Sequence, residues 1–230
     1  LKTHSFTAYT GAVKNMFGTI PYGLRLGYHL QFHLPDRFSA MLVDIFSCAR
    51  PHLNIMDGII AMEGEGPSAG KPRKVGVILA SSDALALDTV ATKITGFNPL
   101  DIYTNQAAHE RGLGIGNIKE IDIIGEAVRD VEVLDFKHSA IAVGLLRRKI
   151  PQFLYAYLQS KLALIPEVSQ NKCTVCMECV NICPRRAIKL IHGKPLINNS
   201  LCINCMCCHE SCGFQAINLK QQFLGRIIRG

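Results

Sequence analysis

The chain has 230 residues, enough for one medium domain and one small one, and 48% of them are hydrophobic, sufficient for a core. No run of 18 or more apolar residues is present, which excludes a membrane-spanning helix. The formal charge of +7 counts ten cysteines as neutral, so it does not by itself mark a nucleic-acid binder.

The first residue is Leu1, inside what reads as a motif, so we expect the C-terminal part of a longer protein. Polar groups crowd residues 1–18: Lys2, His4, Ser5, Thr7, Thr10, Lys14 and Asn15. Thr10 is expected to cap a short helix ending at Gly18, from which Lys14 projects. Such a helix start can hold an anion; a capped surface turn with a solvated lysine is the plainer reading, and composition alone favours it. His29 and His33 would pair at i, i+4 on a helix, but Pro35 follows and no carboxylate stands in register, so surface histidines are expected rather than a metal site.

Residues 36–49 give the clearest helix, with Phe38, Met41, Leu42, Ile45, Phe46 and Ala49 at helical spacing and Pro51 ending the run. Cys48 falls on that stripe as a small buried hydrophobe. Leu53–Met62 reads as a buried strand interrupted by Asp57 and Gly58. A carboxylate there is costly unless paired, so Asp57 is a site candidate, with a turn or bulge as the alternative. Residues 63–71 form a glycine-rich loop that matches neither a P-loop nor a dinucleotide fingerprint; beside the amino-terminal stretch it could wall a pocket.

Val75–Ala80 reads as a strand buried on both faces. Ser81, Ser82 and Asp83 cap a helix over 83–95 that stops at Gly96, with Asp88 expected to face solvent. A helix over 101–111 and a short buried strand at Ile121–Ile124 follow. Strands alternating with helices predict an α/β fold with a largely parallel sheet and flanking helices over 1–138.

Lys-Thr-His-Ser-Phe-Thr-Ala-Tyr-Thr-Gly-Ala-Val-Lys-Asn-Met-Phe-Gly (2–18), the stretch from Asp57 to Ser68 and Val75–Ala80 resemble the signature of the family called domain of unknown function 362 over about 1–130. Members of that family often carry a ferredoxin-like segment. The family name implies an architecture and no reaction.

A helical connector is expected over 139–167, starting near Pro151 and ending at Pro166, with Phe153, Leu154, Tyr157, Leu158, Leu162 and Ile165 as an apolar stripe docked internally rather than on a membrane surface. An amphipathic tail closes the chain at 221–230.

Between them lie two cysteine runs of one spacing: Cys173, Cys176, Cys179, Cys183 and, 29 residues on, Cys202, Cys205, Cys208, Cys212. Three thiolates from one tight loop and a fourth from elsewhere suit the corners of a cubane cluster. The repeat continues, Ala187-Ile188-Lys189-Leu190 matching Ala216-Ile217-Asn218-Leu219, so each half reads as loop, short helix and strand. Zinc ribbons lack a three-cysteine run followed by Cys-Pro, and nothing suggests an oxidising compartment for disulfides. Cys207 reads as a packed thiol, because Cys208 restores the spacing.

Residues 168–220 resemble the bacterial-type two-cluster ferredoxins, a small α+β iron-sulfur domain. In those the fourth cysteine of each run serves the other cluster. The resemblance therefore implies two 4Fe-4S clusters, one on Cys173, Cys176, Cys179 and Cys212, the other on Cys202, Cys205, Cys208 and Cys183. Gly213 departs from the usual proline after the last cysteine, which removes no ligand. Each oxidised cluster with its thiolates is dianionic, which offsets much of the basic surplus and argues against nucleic-acid binding.

Three functions follow as expectations. The first is electron transfer to or from the α/β domain or a partner protein, in the cytoplasm. The second is a ferredoxin-fused redox enzyme with an anionic substrate or cofactor near His4 and Lys14, faced by Asp57. The third is a structural or sensory role for the clusters.

Overall fold

The computed structural model describes residues 1–139 and 164–221, which fall in two compact units: Leu1–Tyr22 with Leu34–Ser139, and Gly23–His33 with Ala140–Gly230.

The first unit is mixed α/β. Its elements are β1 (Lys2–His4), β2 (Ala8–Thr10), α1 (Ala12–Asn15), then, beyond α2 (Tyr22–Gln31), α3 (Pro35–Cys48), β3 (Asn54–Glu63), β4 (Lys71–Ser81), α4 (Ala84–Ile94), α5 (Tyr103–Glu110) and α6 (Val128–Val131). The sheet order is β2-β1-β3-β4. Only the β1–β3 pair is parallel; β1–β2 and β3–β4 are antiparallel. The expected largely parallel sheet is thus corrected to a mixed one. A parallel connection needs a crossover of about a dozen residues or more, and the loop between β3 and β4 is too short for one.

Two strand expectations change with it. Val75–Ala80 lies in β4, where exposed and half-buried residues alternate, so the apolar run is not covered on both faces. Ile121–Ile124 forms no strand, and Ile124 is 94% exposed.

The helices follow their patterns more closely. Pro35 starts α3, and Phe38, Met41, Leu42, Val43 and Phe46 are buried on it. Cys48 is exposed at its last turn, not buried. Asp83 caps α4 by accepting from the Ala86 N–H at 2.9 Å. The core gathers Val13, Val43, Phe46, Leu85 and Ala108 between α1, α3, α4 and α5. Phe6 and Phe17 meet Phe38 edge-on, with centroids 5.3 and 5.5 Å away.

In the second unit, β5 (Leu164–Val168) pairs antiparallel with β8 (Ile217–Gln221), and β6 (Ile188–Ile191) with β7 (Lys194–Ile197). The short helices α7 (Glu178–Asn181) and α8 (Cys207–Ser211) pack between them. The last residues of the expected helical connector, 164–167, are therefore strand; residues 140–163 and the tail 222–230 lie outside the described residues. Helix α2 ends at Gln31, so His29 and His33 do not share a helix.

Candidate iron-sulfur site

The sequence repeat is also a backbone repeat. Val175, Met177 and Arg186 have φ of 59°, 69° and 49°; Asn204, Met206 and Gln215, each 29 residues on, have 53°, 63° and 49°. These left-handed residues curl each loop, and α7 or α8 then carries the third cysteine inward. The fourth cysteines repeat as well: the Ala187 N–H donates to Cys183 Sγ and the Ala216 N–H to Cys212 Sγ, both at 3.2 Å.

Two cavities result. One, enclosing about 380 Å³ that is partly continuous with solvent, is lined by Cys173, Cys176, Cys179 and Cys212. The other, about 350 Å³ and likewise partly continuous with solvent, is lined by Cys183, Cys202, Cys205 and Cys208. Each takes three cysteines from one run and the fourth from the other. The thiols ring a space rather than converge on one ion: among the described residues no three His, Cys, Asp or Glu side chains meet at single-metal spacing. Four soft donors around a cavity, with N–H groups aimed at sulfur, fit a cubane.

Cys179 and Cys208 resist ionisation without a cation. Burial, then the neighbouring sulfurs of Cys173, Cys176 and Cys212, pushes Cys179 up. Burial and Cys205, Cys202, Cys179 and Cys183 do the same to Cys208. Cys207 is buried and also lines the second cavity, its Sγ directed to the Cys205 carbonyl at 3.9 Å.

In the first unit the candidates separate. His4 is 2% exposed at the end of β1, and its Nδ1 accepts from the N–H groups of Phe6 (3.0 Å) and Thr7 (3.4 Å), which folds the turn to β2. The glycine-rich loop does reach this turn: the Ser5 N–H donates to the Gly66 carbonyl at 2.8 Å. A Cβ on Gly66 would lie 2.2 Å from the Thr3 carbonyl oxygen, so the contact requires glycine. Thr7 is buried, its hydroxyl on the Tyr9 carbonyl; Lys2 pairs with Thr10 across β1–β2. Lys14 is half-buried on α1. Asp57 is exposed on β3, where Oδ1 accepts from the Ile59 N–H at 2.8 Å beside the bulge, matching the bulge alternative. Its carbonyl accepts from the Leu1 amino group at 2.7 Å, and His4 lies three residues further along β1, about 10 Å.

Asp88 was the missed residue. It is 1% exposed rather than solvent-facing. Its oxygens accept from the N–H groups of Ala12 (2.6 Å) and Val13 (3.0 Å) and from the Tyr9 hydroxyl (3.2 Å). Asp88, not Thr10, therefore caps α1, from 76 residues away. Burial pushes its pKa up to about 6, against the pull of those donors. The readable signal was a carboxylate in a helix otherwise built of alanine, threonine and aliphatic residues.

A family model described as domain of unknown function (DUF362) matches residues 1–93, and one described as 4Fe-4S binding domain matches 165–188. A thylakoid-associated protein of Synechocystis sp. is 41% identical over 114 residues, covering 49% of this chain and 36% of its own. The IorA subunit of indolepyruvate oxidoreductase of Archaeoglobus fulgidus is 25% identical over 201 residues, covering 76% of this chain and 32% of its own. The chain thus spans about a third of the length of these relatives. No solved structure matches it. Among the described residues no helix is long and apolar enough to cross a membrane. By sequence, the chain joins a DUF362 domain at 1–93 to a ferredoxin-type 4Fe-4S binding domain at 165–188.

Proposed function

We propose that residues 168–220 hold two 4Fe-4S clusters in crossed ligation and relay single electrons to or from the 1–138 domain or a partner protein. The observation that carries the reading is the sorting of eight cysteines into two cavities, three from one run and one from the other in each. When bound, the clusters supply one-electron chemistry. The chain supplies the thiolates, the N–H groups at Cys183 and Cys212 that soften sulfur charge, and the enclosing apolar residues Ile188 and Ile217. The relatedness to an oxidoreductase subunit agrees with a redox role.

Anaerobic iron and acid-labile sulfide analysis with a spectroscopic redox titration tests this. About eight of each per chain, with a reducible signal, is the expected result for two cubanes; zinc without sulfide would overturn it. Cys183→Ser is expected to damage the cluster held by Cys202, Cys205 and Cys208 and spare the other. Selective loss of the cluster on Cys173, Cys176 and Cys179 would refute crossed ligation.

A second reading, a redox enzyme with an anionic ligand near His4 and Lys14, draws on the meeting of the His4–Thr7 turn with the glycine-rich loop. There the Ser5 hydroxyl is fully buried and has no hydrogen-bond partner among the described residues. On either reading His4→Ala leaves iron and sulfide content unchanged. Loss of iron in that variant would show that the domain partition is wrong.

A further inference from the structure

The two cavities differ in how many thiols ring them. Four cysteines line the first; five line the second, where Cys207 joins Cys183, Cys202, Cys205 and Cys208. Cys207 stands outside the cysteine repeat. Its counterpart in the first half is Glu178, an exposed carboxylate on the wall of the first cavity. This position faces the cavity in both halves because it opens the short helix that carries the third cysteine. One half fills it with a hard oxygen donor in water, the other with a soft sulfur that is 6% exposed. Iron in a cubane takes thiolate.

The place of that sulfur selects one corner of the cluster. Cys207 Sγ lies 3.9 Å from the Cys205 carbonyl oxygen, and its S–H is within hydrogen-bond reach of the Cys205 sulfur. Left-handed Met206, at φ 63°, folds the two cysteines back on each other across a single residue. An exchange at that corner balances. The iron–sulfur bond to Cys205 breaks, one to Cys207 forms, and the thiol proton passes from Cys207 to the Cys205 sulfur that faces it. The site keeps its net charge, so the exchange buries no new charge.

We propose that Cys207 is a reserve ligand of the second site, taking the Cys205 corner of the cluster when Cys205 is removed or chemically blocked. Among the described residues the first cavity has no fifth thiol to do the same. This rests on the two-cluster reading above.

Variants of the whole chain, assembled anaerobically with ferrous iron and sulfide, test it by iron count and low-temperature electron paramagnetic resonance. Wild type and Cys205→Ala are both expected to hold about eight iron, without the signal of an oxidised three-iron cluster. Cys176→Ala, which removes the same corner of the first site, is expected to fall to about seven or fewer, as is Cys205→Ala combined with Cys207→Ala. Cys205→Ser, with and without Cys207→Ala, repeats the comparison with a side chain nearer the native size. Counts that do not depend on Cys207 in either background overturn the reserve role. Loss of the second cluster in Cys207→Ala alone overturns it too, because Cys207 would then be a primary ligand. About four iron in wild type overturns the two-cluster reading and the proposal with it.

Discussion

Removing iron and sulfide is expected to unfold residues 164–221 while residues 1–139 keep their fold. Among the described residues, the segment 164–221 has little else to hold it. Its sheets are two separate two-stranded pairs, and such pairs are marginal alone in water. The helices within 164–221 are 4 and 5 residues long, too short to persist unaided. One buried cluster there is Cys179, Ile188, Cys208 and Ile217, and its two thiols face the cluster cavities. Small domains that fold around metal draw on the order of 10 kcal/mol from it, which is why chelators denature them. The first unit depends on no cysteine for its core. Hydrogen exchange before and after anaerobic chelation checks this. Amides in the β5–β8 ladder should lose protection, and those in the β3–β4 ladder should keep it. A β5–β8 ladder still protected without iron would mean that the cysteines decorate a fold that stands by itself.

What the sequence disclosed follows from the range of the interactions involved. The stripe on α3 and the Asp83 cap of α4 are local, within one or two helical turns, and both stand in the structure. The cysteine repeat is local as well, and its 29-residue offset reappears in the φ angles, α7 and α8, and the strands at Ile188 and Ile217. Sheet pairing is not local. Val75–Ala80 has the composition of a central strand, yet its hairpin partner leaves it at an edge. Cys48 kept the helical spacing of the stripe and still emerged exposed at the last turn of α3, where nothing covers that face. Asp88 is the clearest case. Spacing along α4 says nothing about which side a carboxylate can use, because that helix is buried almost all round and its partner lies 76 residues upstream.

That pairing gives the second large effect: Asp88→Ala is expected to destabilise the first unit by about 3 kcal/mol at pH 7. The substitution leaves the N–H groups of Ala12 and Val13 and the Tyr9 hydroxyl buried without their acceptor. Gly11→Ala attacks the same contact sterically, since a Cβ there would stand 2.0 Å from Asp88 Oδ1. The carboxyl also sets a pH dependence. Unfolded, it loses its proton near 3.8; folded, burial raises that to about 6. Between those values the folded state binds more protons than the unfolded one, so stability from this group is highest below pH 4 and falls as pH rises to 6, by about 3 kcal/mol in all. The direction is opposite to that of an ordinary salt-bridged aspartate. Urea unfolding followed by circular dichroism, compared between wild type and Asp88→Asn from pH 4 to 7, isolates it. The wild type should lose stability with rising pH relative to the variant, which has no proton to release. Parallel pH curves for the two would show that the Asp88 carboxyl titrates alike in both states, and wild-type stability in Asp88→Ala would remove the capping role itself.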